Sequence, residues 1–578
     1  MNGSSNAPAK NNKTSFPLEA WRSTLMLAVL TFALASLALW AIKVQLLDNE
    51  FLQGKGEARY SRLLEIPAPR GKIYDRNGVV LASNIPARAI WVIPEEVKMT
   101  AAQENQLSKL LEISVAEIRK KVARDDKRFV YLRRQVPQEI ADQIKEMKIP
   151  GVYSQKEVKR DYPQAAVFAH LTGFTNIEGE GQEGLEAVYD KEIQGQPGAR
   201  KVLRDRLGNV IEDEGVMTEA HPGKDVYLSL DARVQYIVHT ALREAVDHHR
   251  AKSASAMVID TRTGEILALS NYPSYDPNLR KNMDRDLIRN RAVTDIFEPG
   301  STLKPFSVAL ALEKGKVKPQ TMIATGGGKM TIGDATISDS HANGTLTVQQ
   351  VIQKSSNIGT SKIAFMLEPK EMWDNFTVLG FGKPYKIGFP GVAAGLLRPY
   401  KNWQPIEQAT MSYGHGMSVN LMQMANAYQV FARDGDIVPL SLSRVDTPPV
   451  HGTRVFSPQT AREVRQMLEM VVQPGGTARQ ANVPGYRVGG KTGTAMKLVG
   501  GHYANRYVAS FVGIAPISDP RLIVAVMIDE PSNGVFYGGA VAAPVFSEVV
   551  QQTLRMMGVA PDMAVKPQIV ANAVEEPL

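Results

Sequence analysis

Glu298-Pro299-Gly300-Ser301-Thr302-Leu303-Lys304-Pro305 sets a hydroxyl and an amine three residues apart, directly after a Pro-Gly break. A helix starting at about Ser301 brings i and i+3 onto one face, with the Lys304 amine beside the Ser301 oxygen. Pro305 suits the first turn, whose N–H groups have no intrahelical partner to lose. The Ser301 N–H, at the positive end of that helix, is suited to binding an anion. The stretch therefore reads as a serine nucleophile with its own base. A chain this long holds about two Ser-x-x-Lys matches by chance, most of them solvated helix surface, so this one match needs partners elsewhere.

Bulk properties narrow the search. At 578 residues, 44% hydrophobic and 22% charged, the chain is that of a globular protein of several domains. The net charge of +8 comes from 67 basic and 59 acidic residues mixed along the sequence. That argues against a dedicated nucleic-acid binder and is compatible with an anionic membrane surface. The absence of cysteine excludes disulfides, thiol catalysis and Cys-ligated metals.

Residues 1–22 are polar and read as a short cytoplasmic tail. Ser23 to Ile42 is a charge-free run of 20 residues, the length of a bilayer crossing. A cleaved signal peptide is the rival reading, with Ala33-Leu34-Ala35 as its cleavage site. Cleavage there would leave an apolar stub, so an uncleaved anchor is expected. Lys43, Lys55 and Arg59 nearly balance the basic residues of the tail, so an exported catalytic portion rests on the chemistry below. Residues 43–62 read as a helical stalk. Asn77-Gly78 between apolar runs signals a hairpin. Ala101–Ile113 and Val115–Arg124 read as helices, and residues 60–220 as a mixed, non-catalytic module. After His221-Pro222-Gly223, Asp231 caps an expected helix over Ala232–His249. Strands are expected at Ala254–Ile259, Glu265–Ser270, Val488–Ala495, Tyr507–Ile514 and Leu522–Ile528, around a largely helical middle. The expected class is α+β, with a five-stranded antiparallel sheet sandwiched by helices. Residues 560–578 read as a disordered tail.

Two further motifs lie downstream of Ser301. Lys354-Ser355-Ser356-Asn357 holds a Ser-x-Asn, a weak pattern that Ser4-Ser5-Asn6 and Ser418-Val419-Asn420 also match. Gly489-Gly490-Lys491-Thr492-Gly493-Thr494 holds a Lys-Thr-Gly in a glycine-flanked strand, where a ligand can lie close to the backbone. Ser-x-x-Lys, Ser-x-Asn and Lys-Thr-Gly in this order are the set of penicillin-binding proteins and class A β-lactamases. The residue types fit acyl transfer. Ser301 needs a base, and Lys304 serves if burial and a second cation keep its amine neutral. Lys491 supplies that charge and holds a substrate carboxylate, with Thr492, Gly493 and Thr494 along the same strand edge. Ser355 relays the proton to the leaving amine. Asn357 orients Lys304 and the substrate amide, and the N–H groups of Ser301 and Thr494 face the oxyanion. No metal or cofactor enters this chemistry.

Here the chain resembles the class B penicillin-binding proteins, the membrane-anchored D,D-transpeptidases of peptidoglycan synthesis, over nearly everything after the apolar span. Arg70-Gly71-x-Ile73-x-Asp75-Arg76-Asn77-Gly78 resembles the family's first pedestal motif. Arg160-x-Tyr162-Pro163, Gly184-x-Glu186 and Arg204-Asp205-x-x-Gly208 resemble its other pedestal elements. Ser412-Tyr413-Gly414-His415-Gly416, with Gln423 to Tyr428, resembles the division-specific FtsI-type branch. The resemblance implies a septal enzyme that cross-links stem peptides ending in D-Ala-D-Ala and is acylated by β-lactams. It also implies work beside a lipid II polymerase and other divisome proteins at the inner membrane, with the catalytic domain periplasmic.

The expected division is tail 1–22, transmembrane helix 23–42, stalk and pedestal 43–222, transpeptidase domain 223–559 and tail 560–578, without a glycosyltransferase domain. An elongation-specific transpeptidase, a D,D-carboxypeptidase, a β-lactam-hydrolysing or sensing serine enzyme and an idle divisome scaffold remain as alternatives. A class A hydrolase also needs a deacylating glutamate, and Glu371-x-x-x-Asn375 lies too soon after Asn357 to supply it. Val535-Phe536-Tyr537 reads either as an apolar wall near the site or as plain packing.

Overall fold

The structure, a computed structural model, describes residues 19–47, 61–123, 129–204, 210–279 and 284–563. Most of the N-terminal tail and of the stalk, Asp205 to Gly208 of the last pedestal motif, and the chain after residue 563 lie outside the described residues. The chain forms two compact units, Met1–Ala68 with Gln196–His221, and Pro69–Gly195 with Pro222–Leu578.

In the first unit, Ala20–Ile42 is a helix with every side chain exposed, and Ala20–Leu46 has a mean hydropathy of 2.4. This helix is long and apolar enough to cross a membrane. The unit also contains a three-stranded antiparallel sheet of Ser61–Ile66, Gly198–Arg204 and Val210–Thr218.

The second unit opens with the pedestal motifs. The expected hairpin pairs Ile73–Tyr74 with Val80–Val92, and Gly78 takes φ 84° in its turn. Asp75 closes that turn by accepting from the N–H groups of Asn77 and Val79, both at 2.8 Å. Thr100 and Ser114 cap the helices Ala101–Leu111 and Val115–Val122, which pack Leu107, Leu111 and Ile118 onto Ile90, Val92 and Leu132. Two strands not foreseen, Val130–Pro137 and Val152–Asp161, pair with Val80–Val92.

Three of the pedestal motifs meet at one buried carboxylate. Glu186 is fully buried and pairs with Arg70 Nε and Arg160 Nε, each at 2.7 Å. Asn84 bridges the two arginines, accepting from Arg160 at 3.0 Å and donating to the Arg70 carbonyl at 2.6 Å. Segments far apart in sequence are thus locked by charge complementarity in a site that water does not reach.

The main sheet has the order Ile266–Tyr272, Ser253–Asp260, Leu522–Asp529, His502–Ala515 and Gly489–Val499, with every pairing antiparallel. Ser253–Asp260 and Leu522–Asp529 are buried along their whole length, as strands covered on both faces must be. Helices Ala232–His249 and Ala543–Met556 pack on the sheet and on each other. Asp231 caps the first of these, accepting from Arg233 N at 3.0 Å. The middle is largely helical as expected, with three two-stranded pairings: Met322–Gly326 with Gly344–Thr347, Lys329–Ile332 with Ala335–Ser338, and Asp436–Ile437 with Thr453–Arg454. The strand that carries Lys491 lies at an edge of the sheet, which leaves its backbone approachable.

Candidate active site

Gly300–Leu303 forms a 3-10 turn that runs into the α-helix Lys304–Glu313, with Pro305 in the first turn. Ser301 is half-buried, and its hydroxyl has no hydrogen-bond partner among the described residues. Gly414 packs so closely on this turn that an added Cβ would lie 2.3 Å from the Gly300 carbonyl oxygen, and its φ is +85°. On the other side, a Cβ on Gly493 would meet Ser510 Oγ at 2.4 Å and the Pro299 carbonyl oxygen at 2.9 Å. The Lys-Thr-Gly strand therefore lies directly against the turn that carries Ser301. Over nearly two hundred residues of separation, the fold joins the first and third motifs.

Ser355 completes the junction. The helix Val348–Lys354 ends there, with Ser355 in the left-handed region at φ 60° and ψ 40°. Its hydroxyl sits between the two lysines, 3.1 Å from Lys304 Nζ and 2.9 Å from Lys491 Nζ. Its carbonyl accepts a further bond from Lys304 Nζ at 2.5 Å. Both lysines are fully buried. Burial, followed by the charge of Lys491, drives the Lys304 amine well below its ordinary 10.5, with Asp339 offsetting part of the shift. Burial alone pushes Lys491 down to about 7. The repulsion between the two ammonium groups is mutual and makes the pair give up a proton readily, and the deeper depression falls on Lys304.

Thr492 and Thr494 follow on the same strand. Thr492 Oγ1 lies 3.3 Å from Lys491 Nζ and 3.0 Å from Thr477 Oγ1, and Thr494 Oγ1 accepts from Gly538 N at 3.0 Å. That last bond brings Val535-Phe536-Tyr537 beside the strand, with Phe536 stacked on Tyr507 at 4.0 Å and Tyr537 63% exposed.

Asn357 behaves differently from the sequence expectation. Its side-chain N–H donates to the Ser338 carbonyl at 3.0 Å, and no hydrogen bond joins it to Lys304 among the described residues. Asn357 opens the next helix, Asn357–Ala364, beside the unforeseen hairpin strand Ala335–Ser338, while the left-handed Ser355 turns its own carbonyl to the lysine. The rival Asn420 is a helix cap, accepting from Gln423 N at 2.8 Å and donating to Ala393 O at 2.7 Å. Glu371 is occupied by the start of its own helix and by Lys314 at 3.0 Å.

Three groups escaped the sequence reading. Asp339 accepts from Ser356 Oγ at 2.5 Å, Asn357 N at 2.6 Å and Ile358 N at 3.0 Å, fixing the Ser-x-Asn turn. The Tyr413 ring faces Lys304 Nζ at 6.0 Å, and burial raises its hydroxyl to about 12. Glu298 binds the 415–416 loop and Tyr503. Asp339 had no local signal, whereas Tyr413 and Glu298 lie inside stretches already singled out.

Residues 254–551 match the penicillin binding protein transpeptidase domain, and residues 65–228 the penicillin-binding protein dimerisation domain. The chain is 42% identical over 561 residues to a probable peptidoglycan D,D-transpeptidase PenA of Neisseria meningitidis, covering 96% of this chain and 95% of that one. It is 39% identical over 550 residues to the peptidoglycan D,D-transpeptidase FtsI of Escherichia coli, covering 94% of this chain and 93% of that one. Among solved structures, the transpeptidase domain of Burkholderia pseudomallei penicillin-binding protein 3 is 53% identical with a TM-score of 0.54, covering 58% of this chain and 98% of that one. With both domains matched and such relatives along nearly its full length, the chain belongs to the class B penicillin-binding proteins, the peptidoglycan D,D-transpeptidases.

Proposed function

We propose that this transpeptidase cross-links septal stem peptides through a Ser301 acyl-enzyme. Neutral Lys304 takes the Ser301 proton as Oγ attacks the D-Ala-D-Ala carbonyl carbon, and the oxyanion accepts from the N–H groups of Ser301 and Thr494. Ser355 passes a proton to the departing D-Ala amine, and the C–N bond breaks to leave the ester. An acceptor amine then attacks the ester, forming the cross-link and returning the proton to Ser301. Lys491, with Thr492 and Thr494 on either side of Gly493, holds the substrate carboxylate. The observation that carries this reading is the Ser355 hydroxyl between two buried lysine amines, at 3.1 and 2.9 Å. Asn357 contributes through the Ser-x-Asn turn that Asp339 fixes, and through its amide toward substrate rather than toward Lys304.

The finer assignments are part of the same proposal. The helix within residues 23–42 anchors the chain in the inner membrane, with residues 1–22 cytoplasmic and the remainder periplasmic. Residues 43–222 are stalk and pedestal, and residues 223–559 the transpeptidase domain. A lipid II polymerase and other divisome proteins are its partners, a reading supported by the FtsI-type relatives. Labelling by a fluorescent penicillin should vanish in Ser301→Ala. Depletion of the wild-type protein with only that variant present should give filamentous cells. Rounded cells would assign the enzyme to elongation, and persistent labelling would remove Ser301 as the nucleophile. Protease added outside spheroplasts should spare the tail, and its digestion would reverse the topology.

A further inference from the structure

We propose that Glu298 is a positioning residue for acylation, whose carboxylate ties the turn carrying Ser301 to the 413–416 loop and to the hairpin carrying Lys-Thr-Gly. The inference rests on Ser301 being the nucleophile. Glu298 stands three residues ahead of Ser301, and its side chain is 15% exposed. Oε1 accepts from Gly416 N at 2.8 Å and from the Tyr503 hydroxyl at 3.2 Å. Oε2 faces His415 Nδ1 at 3.2 Å and the same tyrosine hydroxyl at 3.1 Å. Burial opposes the charge on this carboxylate, but His415, the Gly416 N–H and Tyr503 outweigh it and hold Glu298 below the usual carboxylate range.

Each of these partners leads to a different part of the catalytic machinery. Tyr503 pairs with Leu498 on the hairpin that continues the Lys-Thr-Gly strand. Among the described residues of 496–507, only Tyr503 makes a side-chain hydrogen bond to the segment leading into Ser301. Close packing at Gly493 already holds one end of that strand against the turn, and Tyr503 supplies a second tie near the hairpin tip. Gly414 accepts from Gly300 N at 3.0 Å, so the 413–416 loop holds the turn at two points, one of them through Glu298. The His415 ring lies 5.4 Å from that of Tyr413, which in turn faces Lys304 Nζ. The carboxylate therefore sets nucleophile, base and substrate-binding strand relative to one another, and its oxygens are engaged by these donors. Acyl transfer is sensitive to such placement, because an error of about 1 Å between reacting groups costs roughly a hundredfold in rate.

The test uses the full-length chain in detergent and follows acylation by a fluorescent penicillin over a range of concentrations. Tyr503→Phe removes one hydroxyl from a half-exposed side chain, and Glu298→Gln keeps the shape of the carboxylate while removing its charge. Each should lower the maximal acylation rate about tenfold, the weight of one charge-assisted hydrogen bond. The half-saturating penicillin concentration and the thermal midpoint should stay near those of the wild type. The double variant should be no slower than the slower single variant, because both changes cut the same tie. Single-variant rates within about twofold of wild type, multiplicative losses in the double variant, or losses that track a falling midpoint would each overturn the proposal. Ser301→Ala separates the two levels. If it still labels, the nucleophile assignment fails; if it is silent while both other variants label at the wild-type rate, only the role of Glu298 fails.

Discussion

Ser355 stands where backbone strain and chemistry oppose each other, which makes its substitution informative. Its φ of 60° lies in the left-handed region that ends the helix Val348–Lys354. A residue with a Cβ incurs about 1–2 kcal/mol in this conformation, whereas glycine loses about 0.5–1 kcal/mol of extra unfolded-state entropy when fixed. Ser355→Ala and Ser355→Gly both delete the hydroxyl that accepts from Lys304 and Lys491. They leave Lys304 its 2.5 Å bond to the residue 355 carbonyl and Lys491 its contacts with Thr492 at 3.3 and 3.4 Å. The hydrogen-bond losses are thus common to the two variants, and the backbone alone separates them. Ser355→Gly should be more stable than Ser355→Ala by about 0.5–1 kcal/mol, a rise of about 0.4–0.8 °C in thermal midpoint for a protein of this size. Both should acylate about 10²–10⁴-fold more slowly than wild type, the range of a lost proton-transfer group. Paired melting curves and penicillin-labelling rates on the full-length chain supply both readouts. An alanine variant at least as stable as the glycine variant would refute the strain argument. Acylation of either variant within about tenfold of wild type would remove Ser355 from the proton path.

The buried lysines also predict how stability depends on pH. Lys491 is depressed from 10.5 to about 7 in the folded chain, so above pH 7 the unfolded chain binds the extra proton and stability rises with pH toward about 10. Lys491→Met should flatten the slope of thermal midpoint against pH between 7 and 9, and an unchanged slope would count against the depressed amine. Gly493→Ala puts a Cβ 2.4 Å from Ser510 Oγ and 2.9 Å from the Pro299 carbonyl oxygen, moving the Lys-Thr-Gly strand off the serine turn. Acylation should drop about a hundredfold, measured by the same labelling assay. Glu186→Gln removes the charge that compensates Arg70 and Arg160 at 2.7 Å each. The loss of about 3–5 kcal/mol should appear as early unfolding of the pedestal in limited proteolysis, and wild-type resistance would mean that the arginines find other partners.

What the sequence made legible was local or periodic. The five strands and the helix Ala232–His249 follow from short hydrophobic patterns and one capping aspartate, and they stand within a few residues of their expected places. Ser301, Lys304 and Lys491 stand out in the sequence because each motif is contiguous, and their order along the chain compensates for the weakness of each alone. The rest depends on contacts across long separations. The Tyr503–Glu298 bond spans 205 residues and the Lys491–Ser355 bond 136, and no pattern within a window encodes either. The partner of Asn357 was misassigned for the same reason. A side chain at a helix start bonds whatever the fold sets beside it, and the hairpin strand Ala335–Ser338 was not foreseen. The pedestal shows the opposite limit: its motifs were visible as separate words, but only the fold reveals that Arg70, Arg160 and Glu186 make one ion cluster. A charged residue inside such a motif is explained once its counter-charge is found. Glu298 beside Ser301 is explained instead by its donors, His415, the Gly416 N–H and Tyr503, which only the fold brings to it.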